Sequence, residues 1–295
     1  MGKRVCWISL TQECNLRCSW CYAREQGYQS IQMDRTLLFE LIDFCKEADV
    51  FKIVFLGGEP TLYPFLTEAI SYAKRQNIRT EITTNGLMLK DNEFLMSLVD
   101  SGLDSVMLSI KGYDQKSFLH TTGFDGYSDV IRAIDNLNRA KIKFGVSFVL
   151  TDEFLDGIEH AISDMQAHNV PLIVFSLAKE YSSTREARDF SRRNSPYVLL
   201  PRLYEKMKGI EDKLTCTKWL IELCFGLDFK GEMAGFLEKH AHYSCKCNVS
   251  DGIIFDFKGN LLACNTMPNS TFGAFKKDFS SYNEYKAYIK RNDYE

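Results

Sequence analysis

Proline is scarce, six in 295 residues, and no run of about 18 uncharged apolar residues occurs. The second absence excludes a membrane-spanning helix. With 45% hydrophobic and 25% charged residues, the composition also leaves little room for extended disorder. An excess of one charge is lacking as well: 36 Lys+Arg against 39 Asp+Glu give a formal net charge of −3. That balance argues against a chain whose main task is gripping nucleic acid. The opening, MGKRVCWISLTQEC, reaches a polar turn too soon for a secretory signal, so a cytoplasmic location is expected. The sequence holds no internal repeat and no low-complexity tract. A chain of this length can bury a large core as one α/β domain, alone or with an appendage.

Cysteine is the residue in surplus. The ten cysteines cluster as Cys14, Cys18 and Cys21 and as Cys245, Cys247 and Cys264, while Cys6, Cys45, Cys216 and Cys224 stand apart. A secreted disulfide protein would scatter them in pairs; clustering without an export signal reads as metal or Fe–S ligation in a reducing compartment. Cys6, alternating within a strand, and Cys45, on an apolar helix face, read as core.

The first two-thirds of the chain alternates strands and helices. Short apolar, β-branched runs at 5–10, 52–56, 78–84, 105–110, 142–150 and 172–177 are expected of strands buried on both faces of a parallel sheet. Helical patterns lie between them, with Asp34, Asp91, Ser128 and Asp152 as expected starts and Gly102 as a stop. The expected fold class is α/β: a partial (β/α)6 TIM-like barrel over residues 1–212, with a small α+β Fe–S extension containing a β-hairpin over 213–295. Residues 178–193 read as a linker or surface loop, and one more helix is expected over 201–208. The hairpin turns at Lys258-Gly259-Asn260, and a short amphipathic helix closes the chain. Ligands of such sheets sit at the carboxyl ends of the strands.

Cys14-Asn-Leu-Arg-Cys18-Ser-Trp-Cys21 is C-x3-C-x2-C, directly after the first strand. Three thiolates on one loop can converge on three irons of a cubane cluster and leave the fourth open to a non-protein ligand. Zinc usually wants four ligands, and no fourth cysteine lies nearby. This spacing, with an aromatic residue before the third cysteine, resembles the radical S-adenosylmethionine (radical SAM) enzymes. Leu56-Gly57-Gly58-Glu59-Pro60 after the second strand looks like the family's GGEP motif; Thr83-Thr84-Asn85-Gly86 ends the third strand and Leu108-Ser109-Ile110-Lys111-Gly112 the fourth. Gly57-Gly58 alone would be a turn, and Glu59 alone a solvated carboxylate. Their order behind the cysteine loop makes them a site. The resemblance covers residues 5–180.

The resemblance implies that Cys14, Cys18 and Cys21 ligate a [4Fe–4S] cluster, with the methionyl group of SAM on the fourth iron. Gly57, Gly58 and Glu59 would receive the methionine amino group, glycines suiting a close backbone approach. Thr84, Asn85 and Ser109 would contact the sugar or carboxylate, and Trp20 and Tyr22 would lie near the adenine. Lys111 departs from the Asp of many relatives and is not assigned a contact. An external one-electron donor of flavodoxin or ferredoxin type would reduce the cluster. SAM would then split to methionine and a 5′-deoxyadenosyl radical that takes hydrogen from the substrate.

Cys247 and Cys264 bracket Gly259 as C-x11-G-x4-C, which resembles the opening of the SPASM and twitch extensions, and Thr271-Phe272-Gly273 before a helix extends the likeness. A second cysteine-rich run does not follow. The extension is therefore either a shortened, twitch-like one or truncated. Cys245, Cys247 and Cys264 would hold an auxiliary [4Fe–4S] cluster, with Cys216, Cys224, His242 or substrate as fourth ligand; a structural zinc site and a cluster-free remnant stay open. His240 and His242 read as surface or supporting residues rather than ligands. Cys224, in an apolar patch, reads as core; alternatively Cys216 or Cys224 donates a hydrogen atom to the substrate radical.

The resemblance implies a ribosomally made peptide or protein side chain as substrate, with crosslinking, epimerisation or oxidation as outcome. No leader-binding domain is read ahead of the barrel, so peptide recognition would need a partner or the barrel mouth. The alternative is radical dehydrogenation or rearrangement of a sugar, aminocyclitol or nucleotide. A non-enzymatic Fe–S or zinc regulator would leave the GGEP loop without a purpose.

Overall fold

The computed structural model describes residues 3–21, 29–177, 192–211, 214, 217–223, 227–243, 252–264 and 270–292. Six parallel strands form where the apolar runs predict them: β1 (Val5–Ser9), β2 (Lys52–Leu56), β3 (Arg79–Thr84), β4 (Ser105–Ile110), β5 (Lys143–Leu150) and β6 (Leu172–Leu177). The intervening helices are α1 (Arg35–Glu47), α2 (Leu66–Arg75), α3 (Asn92–Asp100), α4 (Gln115–Thr122), α5 (Tyr127–Ala140), α6 (Asp152–Asp156) and α7 (Ile158–Ala167). Each buries an apolar stripe; α1 hides Leu38, Leu41, Ile42 and Cys45 completely. Cys6 and Cys45 meet in this core, where burial and mutual contact push the Cys6 thiol up.

Helix starts follow side-chain acceptors. Asp34 caps α1 and Asp91 caps α3, each accepting first-turn amides. Two starts differ from expectation. Gly126 precedes α5, so Ser128 lies inside the first turn, and Thr151 rather than Asp152 caps α6. The helix expected beyond Asp152 also breaks at Gly157, where only glycine fits, since a Cβ there would stand 2.3 Å from the Tyr113 ring.

The sheet does not stop at β6. After α8 (Pro196–Lys208) come β7 (Lys218–Leu223), α9 (Glu232–His240) and β8 (Ala241–Tyr243), with β7 parallel to β6 and β8 to β7. α8 starts five residues before the expected 201, at Pro196, whose missing N–H costs nothing in a first turn, and it carries Pro201 inside. At the other edge, β9 (Gly252–Phe255) pairs parallel with β1, β10 (Asn260–Leu262) turns back on β9, and β11 (Thr271–Ala274) pairs antiparallel with β10. The sheet order is β11-β10-β9-β1-β2-β3-β4-β5-β6-β7-β8. The expected hairpin thus exists, with Asp256 accepting the amides of Lys258 and Asn260, but it extends the main sheet. Thr271–Gly273 lies in strand β11, and the helix expected to follow it is present at Tyr282–Arg291.

α10 (Tyr282–Arg291), capped by Ser281, closes the described chain. Phe44 of α1 joins this C-terminal part to the barrel: its ring lies 5.6–6.1 Å from those of Phe255, Phe275, Phe279, Tyr282 and Tyr285. The sheet therefore runs across the 212/213 division. Among the described residues, no helix is long and apolar enough to cross a membrane. Most of the linker read at 178–193 lies outside the described residues.

Candidate functional site

Because β1 to β6 are parallel, the cysteine loop, the Gly57-Gly58-Glu59 turn, Thr84-Asn85 and Ser109-Lys111 all leave the same edge of the sheet. Backbone hydrogen bonds fix the cysteine loop there. The Gln12 amide donates to the Ile31 carbonyl at 2.9 Å, and those of Arg17 and Ser19 donate to Thr122 and Thr121 of α4 at 3.2 and 2.9 Å. Cys14, Cys18 and Cys21 are thiols, Cys18 buried and the others partly so.

The second loop is laced onto the first. Gly58 donates its amide to the Thr11 carbonyl at 2.6 Å, and Glu59 to that of Glu13 at 2.8 Å. This contact explains the glycine pair. A Cβ on Gly58 would stand 2.2 Å from the Glu13 carbonyl oxygen, and one on Gly57, at φ +147°, 2.5 Å from that of Thr11. Close approach to a ligand was the expected reason; the backbone of residues 11–13 is a sufficient one.

The Glu59 side chain is 1% exposed. Its Oε1 accepts from the Thr61 amide at 3.1 Å and from the Thr61 and Thr84 hydroxyls at 2.6 Å each; its Oε2 accepts the Asn85 amide at 2.8 Å. Burial raises its pKa, opposed by these donors, Asn85 foremost. Asn85 carries the network on, donating through Nδ2 to Asn15 Oδ1 at 2.7 Å inside the cysteine loop. Thr84 also accepts the Gly86 amide at 3.0 Å. Ser109 accepts from Lys111 Nζ, which sits 5.0 Å from the centroid of the Trp20 ring.

Burial pushes the Cys14 thiol up to about 12; the Leu16 amide pulls it down, and Glu59, Cys18 and Cys21 push it further up. Cys18 is pushed up to about 11 by burial, with Lys111 pulling down and Cys21 pushing up. These cross-influences put the three sulfurs and Glu59 within electrostatic reach of one another. A buried trio of thiolates needs positive charge to form, which the irons of a cluster supply. Among the described residues, no three His, Cys, Asp or Glu side chains are gathered around one point.

The structure thus brings together Cys14, Cys18, Cys21, Trp20, Gly57, Gly58, Glu59, Thr84, Asn85 and Ser109. Asn15, Thr61 and Lys111 join them without having been selected from the sequence; Asn15 stood within the cysteine loop and Lys111 beside Ser109, but neither residue type marked a role. Tyr22, Cys216, Cys224, Cys245 and Cys247 lie outside the described residues. Cys264 is buried after β10, its amide donating to Ser270 Oγ at 3.1 Å. His240, read as a surface or supporting residue, is 9% exposed: its ring stacks on Trp219 at 3.9 Å between centroids, with Glu211 Oε1 3.1 Å from Nε2. His242 is exposed.

Known proteins resemble this chain in sequence and in fold. A GTP 3',8-cyclase of Chlorobaculum tepidum is 39% identical over 132 residues, 44% of this chain and 39% of the relative. An Fe-coproporphyrin III synthase of Methanosarcina barkeri is 27% identical over 176 residues, 58% of this chain and 43% of the relative. The matches to these two thus span about two-fifths of the relatives' length. Streptococcus suis SuiB bound to precursor peptide SuiA superposes with a TM-score of 0.72 at 18% identity, covering 95% of this chain and 64% of that one. Native anSMEcpe with bound AdoMet does so with 0.72 at 17%, covering 98% and 82%. At such identities the likeness is one of fold. Residues 8–165 match the Radical SAM superfamily, which implies a [4Fe–4S] cluster and SAM, and with more than half of its length in that match the chain belongs to the radical SAM superfamily.

Proposed function

We propose that this chain is a radical SAM enzyme that takes a hydrogen atom from a ribosomally made peptide or a protein side chain. The observation that carries the SAM half is the lacing of Gly58 and Glu59 onto Thr11 and Glu13, continued by Asn85 to Asn15. When bound, the cluster and SAM supply one electron and a 5′-deoxyadenosyl radical. The protein's part is positioning. Cys14, Cys18 and Cys21 hold the cluster, and the backbone of Gly57 and Gly58 meets the methionine amino group, with Glu59 bracing that turn from beneath. Thr84, Asn85 and Ser109 line the sugar and carboxylate side, and Trp20 and Tyr22 the adenine side.

For the C-terminal residues we infer a shortened SPASM or twitch-like unit over 213–295 in which Cys245, Cys247 and Cys264 hold an auxiliary [4Fe–4S] cluster. Cys216 or Cys224 serves as the fourth ligand or as hydrogen donor. The peptide reading is supported by the extent of the shared fold, 95–98% of this chain against its peptide-bound and SAM-bound neighbours. It also implies an external reductant of flavodoxin or ferredoxin type and a leader-binding partner. A nucleotide substrate is the second reading, favoured by the 39% identity over 132 residues to a GTP 3',8-cyclase.

Anaerobic incubation with SAM and dithionite tests the activity: the parent chain makes 5′-deoxyadenosine and the triple variant Cys14→Ala/Cys18→Ala/Cys21→Ala does not. Adding GTP or a peptide encoded beside the gene then separates the substrates. The reading stands if the peptide loses hydrogen or takes up solvent deuterium, and falls to the second if GTP is consumed instead. Iron analysis of the triple variant tests the auxiliary cluster: about four irons per chain support it and almost none removes it.

A further inference from the structure

Lys111 directly follows β4 and enters the mouth of the site from the strand end beside the cysteine loop. Its ammonium is held twice, donating to Ser109 Oγ and lying 5.0 Å from the centroid of the Trp20 ring. Trp20 stands between Cys18 and Cys21 in the chain, so the lysine is fastened to the segment that carries two of the three cysteines. The loop itself is fixed on α4 through Arg17 and Ser19. The side chain is therefore a charge at a set place rather than a solvated tip.

We propose that Lys111 sets the reduction potential of the cluster on Cys14, Cys18 and Cys21, its ammonium stabilising the one-electron-reduced state. The inference rests on that ligation. The electron comes from an external one-electron donor and goes to the cluster, which becomes more negative by one charge; no bond forms or breaks in this step. A fixed cation lowers the energy of the more negative state, and Fe–S potentials respond to such local charge. The buried Glu59 carboxylate, by contrast, is engaged by Thr61, Thr84 and Asn85. Lys111 is thus a positioning residue for charge, acting through the cluster environment without being required to touch substrate.

The test is a mediated redox titration of the anaerobically reconstituted full chain, followed by EPR on the signal that SAM perturbs, which identifies this cluster. Lys111→Met and Lys111→Gln, the second keeping a donor for Ser109, should each make reduction about tenfold less favourable, about 59 mV more negative for one electron. Lys111→Arg should stay close to the parent. Unchanged potentials in both neutral variants, at about four irons in the SAM-sensitive cluster, overturn the proposal. A shift in Lys111→Met that Lys111→Gln fails to reproduce also overturns it, since packing rather than charge would then be at work. Failure of the underlying ligation shows differently: the parent chain itself would give no SAM-perturbed signal, and both readings would fall together.

Discussion

The backbone amide of Asn85 donates to Glu59 Oε2 at 2.8 Å, tying the end of β3 to the turn after β2. Through Nδ2 the same asparagine reaches Asn15, so one residue joins three strand-end loops. Glu59 is the acceptor that the arrangement cannot do without. Glu59→Ala would strand the Thr61 and Thr84 hydroxyls and the Asn85 amide in a buried site, at a cost of about 3 kcal/mol. Glu59→Gln keeps one acceptor oxygen and should lose about half of that. Urea unfolding of the cluster-free chain measures both; midpoints indistinguishable from the parent would refute the bracing role.

Gly58→Ala forces a Cβ against the Glu13 carbonyl, where 2.2 Å of separation leaves no room. Backbone on both sides must move, so the GGEP turn separates from the cysteine loop. About 1–3 kcal/mol of overpacking is expected, together with reduced iron incorporation. An alanine variant that reconstitutes with the parent's iron content and SAM affinity would show that the lacing of the loops is dispensable.

Phe44→Ala removes the ring around which five aromatic side chains of the C-terminal part assemble. The residue is 2% exposed, and truncation should cost about 3–5 kcal/mol. Beyond global stability, limited proteolysis should cut first within 252–292, because Phe44 provides the apolar contact between α1 and that segment, beside the polar ties of Glu40 to Lys276 and Glu47 to Tyr282. Unaltered cleavage order would mean that the pairing of β9 on β1 and the polar ties to Glu40 and Glu47 suffice to hold it.

These contacts also mark where reading the sequence stops. The runs 52–56 and 172–177 coincide with β2 and β6 because mostly buried strands write a near-continuous apolar signal, whereas β4 over 105–110 alternates buried and half-buried residues. In β7, KWLIEL, Lys218 is exposed and Glu222 half-buried, which dilutes that signal, and the strand went unread. The pairing of β9 with β1 joins segments from opposite ends of the chain, and nothing local in Gly252–Phe255 encodes it. In the site, spacing alone identifies Cys14, Cys18 and Cys21. The engagement of Glu59 with Thr84 and Asn85 depends on the register that sets Phe55 beside Ile82, a property of the sheet and not of either loop. The need for glycine at 157 is of the same kind, since Tyr113 comes from a different βα unit.

His240 offers a prediction in pH. Packed between Trp219 and Phe236, with ring centroids 3.9 and 5.2 Å away, it is 9% exposed, and burial lowers its pKa from the ordinary 6.5 while Glu211 pulls upward. Lys239 sits on the same carboxylate and weakens that pull. A histidine whose folded pKa lies below its unfolded value binds fewer protons in the native state. Its contribution to stability is complete above 6.5 and is lost as pH falls through the folded value. The parent's unfolding midpoint should therefore drop more steeply on acidification than that of His240→Phe, which keeps an aromatic ring against Trp219 and cannot titrate. Parallel curves for the two proteins through and below 6.5 would show that folding leaves the proton affinity of His240 unchanged and that burial does not govern it.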